Sequence, residues 1–120
     1  DDDYLIPDSL TKCAEFLSEN SDYRTAQGRA AIVQMKSHEP SCDIINVGMY
    51  WGENSLEQTN RYERLLAFHN KYYVMQFSTH RINEFLSDSS EQLEIKDHGI
   101  SEENHNYTFA INGKSKFIDW

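Results

Sequence analysis

A chain of 120 residues with 20 acidic against 11 basic side chains is the size of one domain, and its net charge of −9 repels nucleic acid and anionic lipid while attracting a cationic partner. Seven Tyr, six Phe and two Trp supply apolar surface for one core despite a mean hydropathy of −0.74, which excludes a disordered tail. No apolar run approaches the ~18 residues of a membrane-spanning helix, so no membrane insertion is expected and residues 1–120 read as a single domain.

Asp1-Asp2-Asp3 stand where an initiator Met would be, which reads as a processed or trimmed start. Removal of a signal peptide there would place the protein in the periplasm or outside the cell and leave Cys13 and Cys42 free to pair. Pro7-Asp8-Ser9 then leads into Leu10, Cys13, Ala14 and Leu17 at helical spacing, predicting a helix over 9–19 with Asp8 or Ser9 as cap and Asn20-Ser21-Asp22 as its end. Arg29 to Met35 and Asp43 to Trp51 read as two strands, with residues 37–41 as the loop between them and Gly48 as a candidate bulge. Cys42 opens the second strand. A Cys13–Cys42 bridge would pin the helix to the sheet and contribute about 3.6 kcal/mol by loop closure, and two free thiols are the other outcome.

The stretch 53–60 is polar and turn-like. Two apolar runs around His69-Asn70-Lys71 predict a hairpin over 62–77, and Ile82, Phe85 and Leu86 fit a short helix broken by Ser87-Asp88-Ser89-Ser90. Leu93 and Ile95 alternate with charges as an edge strand ending at Asp97-His98-Gly99, followed by an acidic loop over 101–104. Tyr107, Phe109 and Ile111, then Asn112-Gly113, then Phe117 and Ile118, predict a closing hairpin. The expected fold class is α+β, an N-terminal helix packed on an antiparallel β-meander.

No motif names a reaction. The five histidines, at 38, 69, 80, 98 and 105, form no cluster with metal-ligand spacing, so neither metal nor cofactor is expected. His38 lies too close to Cys42, across Pro40, to read as the base of a thiolate pair. There is no G-x-S-x-G elbow and no Gly-rich phosphate loop. Asn106-Tyr107-Thr108 matches a glycosylation sequon and reads as coincidence. What stands out is an acidic surface, Asp88, Glu91, Glu94, Asp97, Glu102 and Glu103, suited to docking into a cationic cleft.

Small size, acidity, the Asp1–Asp3 start, Cys13 and Cys42, and the acidic 91–103 region together resemble bacterial immunity proteins. In outline the chain is similar to the periplasmic ones of the pesticin-immunity kind, which protect a bacteriocin producer from a peptidoglycan-cleaving toxin. The resemblance implies no enzyme but a binder of a cationic toxin or lysozyme-like enzyme, whose substrate groove it occludes. A cytoplasmic immunity protein against a nuclease toxin would share the acidity and keep both thiols reduced. A small ligand-binding enzyme with an Asp and a His in a concave sheet, or a secreted effector or adhesion module, are the remaining readings.

Overall fold

The computed structural model describes residues 4–37, 43–50, 54–90 and 97–119. Helix α1 (Pro7–Glu19) starts two residues before the expected boundary, because Pro7 occupies the first turn, where its missing N–H costs nothing and its fixed φ suits the helix. Neither Asp8 nor Ser9 caps it; Ile6 sits at the cap with no side-chain bond. Cys13 and Leu17 point inward and pack with Ala26 of strand β1 (Tyr23–Gln27), flanked by Phe16, Tyr23 and Ile118.

Strand β1 was hidden in a polar sequence, Tyr-Arg-Thr-Ala-Gln, yet it is the centre of the main sheet. It pairs antiparallel with β4 (Thr79–His80) and parallel with β5 (Lys114–Phe117), in the order β4-β1-β5. Strands β2 (Ala31–Met35) and β3 (Ile44–Met49) form a separate antiparallel ribbon, as the sequence led us to expect. Gly48 pairs with Ile32 in regular register, and the irregularity lies instead between Gln34 and Met35, where Gln34 faces Asn46 and Met35 faces Ile44 so that Ile45 is the extra residue.

The expected hairpin over 62–77 is a helix. In α2 (Arg61–Asn70), Asn60 caps by accepting from Tyr62 N at 2.8 Å, and Arg64 and Phe68, four apart, are the buried positions. The chain then descends through Tyr73 and Met75, both core residues, into a single 3₁₀ turn, Met75–Phe77. Helix α3 (Ile82–Ser90) runs on through the Ser-Asp-Ser-Ser segment expected to break it.

The first arm of the expected closing hairpin is likewise helical, in α4 (His98–Asn112), which includes the segment 101–104 read as loop, while its second arm falls on strand β5. Asp97, expected to end a strand, caps this helix by accepting from Ile100 N at 3.1 Å. The alternation of Tyr107, Phe109 and Ile111 misled: Asn106, Phe109 and Ala110 are the buried residues, at helical offsets of three and four. Gly113 does not make a hairpin turn, since its φ of −168° is extended. It is needed for closeness, because a Cβ there would lie 2.1 Å from Arg24 Cδ. The edge strand expected at Leu93 and Ile95 falls outside the described residues.

The α+β class therefore holds, with its N-terminal helix on the sheet, but that sheet is not the expected antiparallel meander, because β1 pairs parallel with β5 and has no sequence neighbour beside it. Leu56, Phe68, Tyr73, Met75, Phe109 and Ala110 form the larger core, between α2, α4 and the sheet. Neither core includes a residue of the β2–β3 ribbon. The radius of gyration of 15.5 Å exceeds the ~14 Å expected of a compact 120-residue domain, as a ribbon outside the core would make it.

Candidate functional site: an uncovered apolar ribbon

The pairing of β2 with β3 sorts their side chains by face. Residues directly opposite one another project from the same face of an antiparallel pair. Ala31 faces Met49, Val33 faces Val47 and Met35 faces Ile44, so one face of the ribbon is apolar at every one of these positions. The other face carries Ile32 with Gly48 and Gln34 with Asn46. A sequence patterned in this way ordinarily lays its apolar face on a core. Here Val33, Met35, Ile44, Val47 and Met49 are between 42% and 61% exposed, and every residue of β2 is exposed.

The segment that builds this face is also neutral by sequence. Arg29 and Lys36 balance Glu39 and Asp43, so residues 29–50 carry no net charge and the remainder of the chain holds the entire −9. An apolar, neutral centre surrounded by charge is the anatomy of a protein–protein contact, in which charged groups are depleted from the core and concentrated at the rim. At the foot of the ribbon, Tyr50 meets Phe77 edge to face at 6.4 Å between ring centroids. Beside it an open depression of about 770 Å³ is lined by Met49, Tyr50, Lys71 and Tyr72, with Arg29 at its edge in an ion pair with Asp119 at 2.8 Å.

The acidic residues singled out from the sequence divide. Asp88 is not on the surface: it is 5% exposed, and its carboxylate accepts from Arg24 Nη2 at 3.1 and 3.0 Å and from Asn112 Nδ2 at 2.8 Å. An ion pair that holds α3 to β1 and α4 in this way is committed to the fold. Glu91 and Glu94 lie outside the described residues, whereas Asp97, Glu102 and Glu103 are exposed along the first turns of α4. Cys13 is a free, buried thiol, which burial pushes above its ordinary pKa, and its expected partner Cys42 lies outside the described residues.

Among the described residues no three His, Cys, Asp or Glu side chains gather as a metal site. His69 Nδ1 meets the Tyr107 hydroxyl at 3.0 Å on the surface. His80 is packed between Phe85 and Phe109, and its Nε2–H donates to Met75 O at 2.9 Å; burial lowers its pKa. His80 and Asp88 are both engaged within the fold, His80 by a backbone carbonyl and Asp88 by Arg24. The Asn106 sequon is closed as well, since that side chain is fully buried, accepting from Met75 N and donating to Tyr72 Oη and Glu102 O. No family model, curated protein or solved structure matches the chain.

Proposed function

We propose that the protein acts by binding: it is an immunity or inhibitor protein whose β2–β3 ribbon docks a cationic enzyme and neutralises it. The first partner in view is a peptidoglycan-cleaving, muramidase-type bacteriocin met in the periplasm. The observation that carries this reading is the apolar face of Val33, Met35, Ile44, Val47 and Met49, left in solvent by a chain that builds two cores elsewhere. Monomers rarely expose a contiguous apolar patch of several hundred Å² without using it. The −9 carried outside the ribbon supplies long-range attraction to a basic partner, and the neutral face supplies the dry contact once the two meet.

A second reading keeps the surface and changes the compartment. The free thiol of Cys13 suits a reducing environment, and with it a cytoplasmic nuclease toxin as partner.

Both are tested by calorimetric titration of the protein into cationic muramidase domains and cationic nuclease domains of bacteriocins at about 0.15 M salt, near physiological ionic strength. Enzyme inhibition is measured in parallel. One class is expected to bind and lose activity. The double substitution Val33→Asp and Val47→Asp, a cross-strand pair on the exposed face, is expected to weaken that binding about 100-fold, the worth of two valines at about 1.5 kcal/mol each. Neither class binding, or equal affinity of the variant, would overturn the proposal.

A further inference from the structure

Hydrogen-bond phase in the ribbon decides which of its backbone groups are spent. Tyr50 N donates to Ala30 O at 2.9 Å, which makes Ala30 and Tyr50 a hydrogen-bonded pair. Such pairs alternate with non-bonded ones along an antiparallel ladder. Ile32 with Gly48 and Gln34 with Asn46 are then bonded pairs, and Lys36 N donating to Asp43 O at 3.0 Å continues the series past the irregularity. On β2, the N–H and C=O groups of Ala31, Val33 and Met35 consequently point away from β3. Among the described residues β2 pairs with β3 alone, and all five of its residues are exposed.

An open edge of this kind is usually blunted by a charge, a proline or a bulge. On β3 the register irregularity at Ile45 does this. Strand β2, Ala-Ile-Val-Gln-Met, has none of the three. Its outward groups at 31, 33 and 35 are also symmetric about Val33. A second β2 laid antiparallel would set Val33 opposite Val33, and Ala31 opposite Met35 in both directions, each a hydrogen-bonded pair. Two chains of −9 ordinarily repel, but the 29–50 segment adds no net charge of its own to that repulsion. An isolated two-stranded ribbon is marginal in water, and a four-stranded sheet is not.

We propose that the occupant of the β2 edge is a second copy of this chain, joined by antiparallel β2–β2 pairing about Val33 into a four-stranded sheet of order β3-β2-β2-β3. The contact is isologous and closes on itself, so it gives a dimer and no filament. It goes beyond the docking reading and is compatible with it, because edge pairing leaves the apolar face free and joins the two faces into one platform.

Sedimentation equilibrium of the purified chain alone, from about 5 to about 500 µM, tests this. The expected result is a reversible rise in mass from 14.1 kDa to twice that value, with a micromolar midpoint fitting a contact of modest area. Val33→Pro removes only an outward-facing N–H, a position where edge strands accept proline, and is expected to stay monomeric with an unchanged circular dichroism spectrum. Should that variant lose its fold, Val33→Cys in a Cys42→Ser background decides instead. Paired residues about 5.5 Å apart at Cα lie within disulfide reach, so diamide is expected to yield a covalent dimer, and Ser21→Cys in the same background none. A monomer at every concentration, a dimer of the Val33→Pro variant, or no cross-link in the Val33→Cys variant would overturn the dimer while leaving the enzyme-binding result untouched.

Discussion

Arginines from neighbouring elements finish the ends of helices that carry no basic residue of their own in the last turn. Arg64 Nε donates to Ala110 O at 3.0 Å and its Nη2 to Ile111 O at 2.6 Å, closing α4, while Nη1 reaches Gln58 O and Thr59 O. Arg81 does the same for α1, donating to Leu17 O and Asn20 O and to Tyr23 O. A planar fork satisfies several divergent carbonyls at once, and an ammonium does not. Arg64→Ala is therefore expected to cost about 3 kcal/mol by urea unfolding, with Arg64→Lys recovering less than half of it. His80 sets a pH dependence of the opposite origin. Burial among Phe85 and Phe109 lowers its pKa below the ordinary 6.5, against the pull of Met75 O and Asp88 and with the push of Arg24. The unfolded chain then binds a proton that the folded one refuses. Its contribution is complete above about pH 6.5 and is lost as pH falls from there toward the folded value. Urea midpoints are expected to drop between about pH 7.5 and about pH 5.5 in the wild type, and to drop less in His80→Gln, whose amide can still donate to Met75 O. An equal drop in both would show that His80 does not set the dependence.

Among the elements, those legible in the sequence were the ones whose apolar residues had a local reason for their spacing. Helix α1 and both strands of the ribbon were read correctly to within a few residues, from Leu10, Cys13 and Leu17 and from the β-branched runs. The segments 62–77 and 107–112 were misread because aromatic and apolar residues there occur in short runs that strands and helices share, whereas the second arm of the closing hairpin is a strand, β5, as expected. Only tertiary partners choose between them: Phe68 and Phe109 become neighbours in one core with Tyr73 and Met75, and that packing favours α2 against α4. Strand β1 was invisible for the converse reason. Its neighbours on both sides, β4 and β5, come from far along the chain, and Arg24 and Thr25 carry no apolar signal. Asp88 was misplaced for the same cause, since its partner Arg24 is 64 residues away. The candidate docking face was half visible: its strands could be read, but not that, among the described residues, no other layer of the fold covers them.

At the scale of the molecule, the net negative charge lies outside the segment that builds the ribbon. The body carries the charge and both cores, and the ribbon concentrates exposed aliphatic side chains while remaining neutral. Asp97, Glu102 and Glu103 on α4 belong to the charged part and would act by steering, in a manner weakened by salt. The measurement that addresses the docking claim most directly is amide chemical-shift mapping of the labelled protein during titration with a cationic muramidase or nuclease domain that it inhibits. Docking through the ribbon predicts that the perturbations centre on Ala31–Met35 and Ile44–Met49 and spare the exposed side of α1. Inhibition accompanied by shifts elsewhere, with the ribbon unmoved, would contradict it.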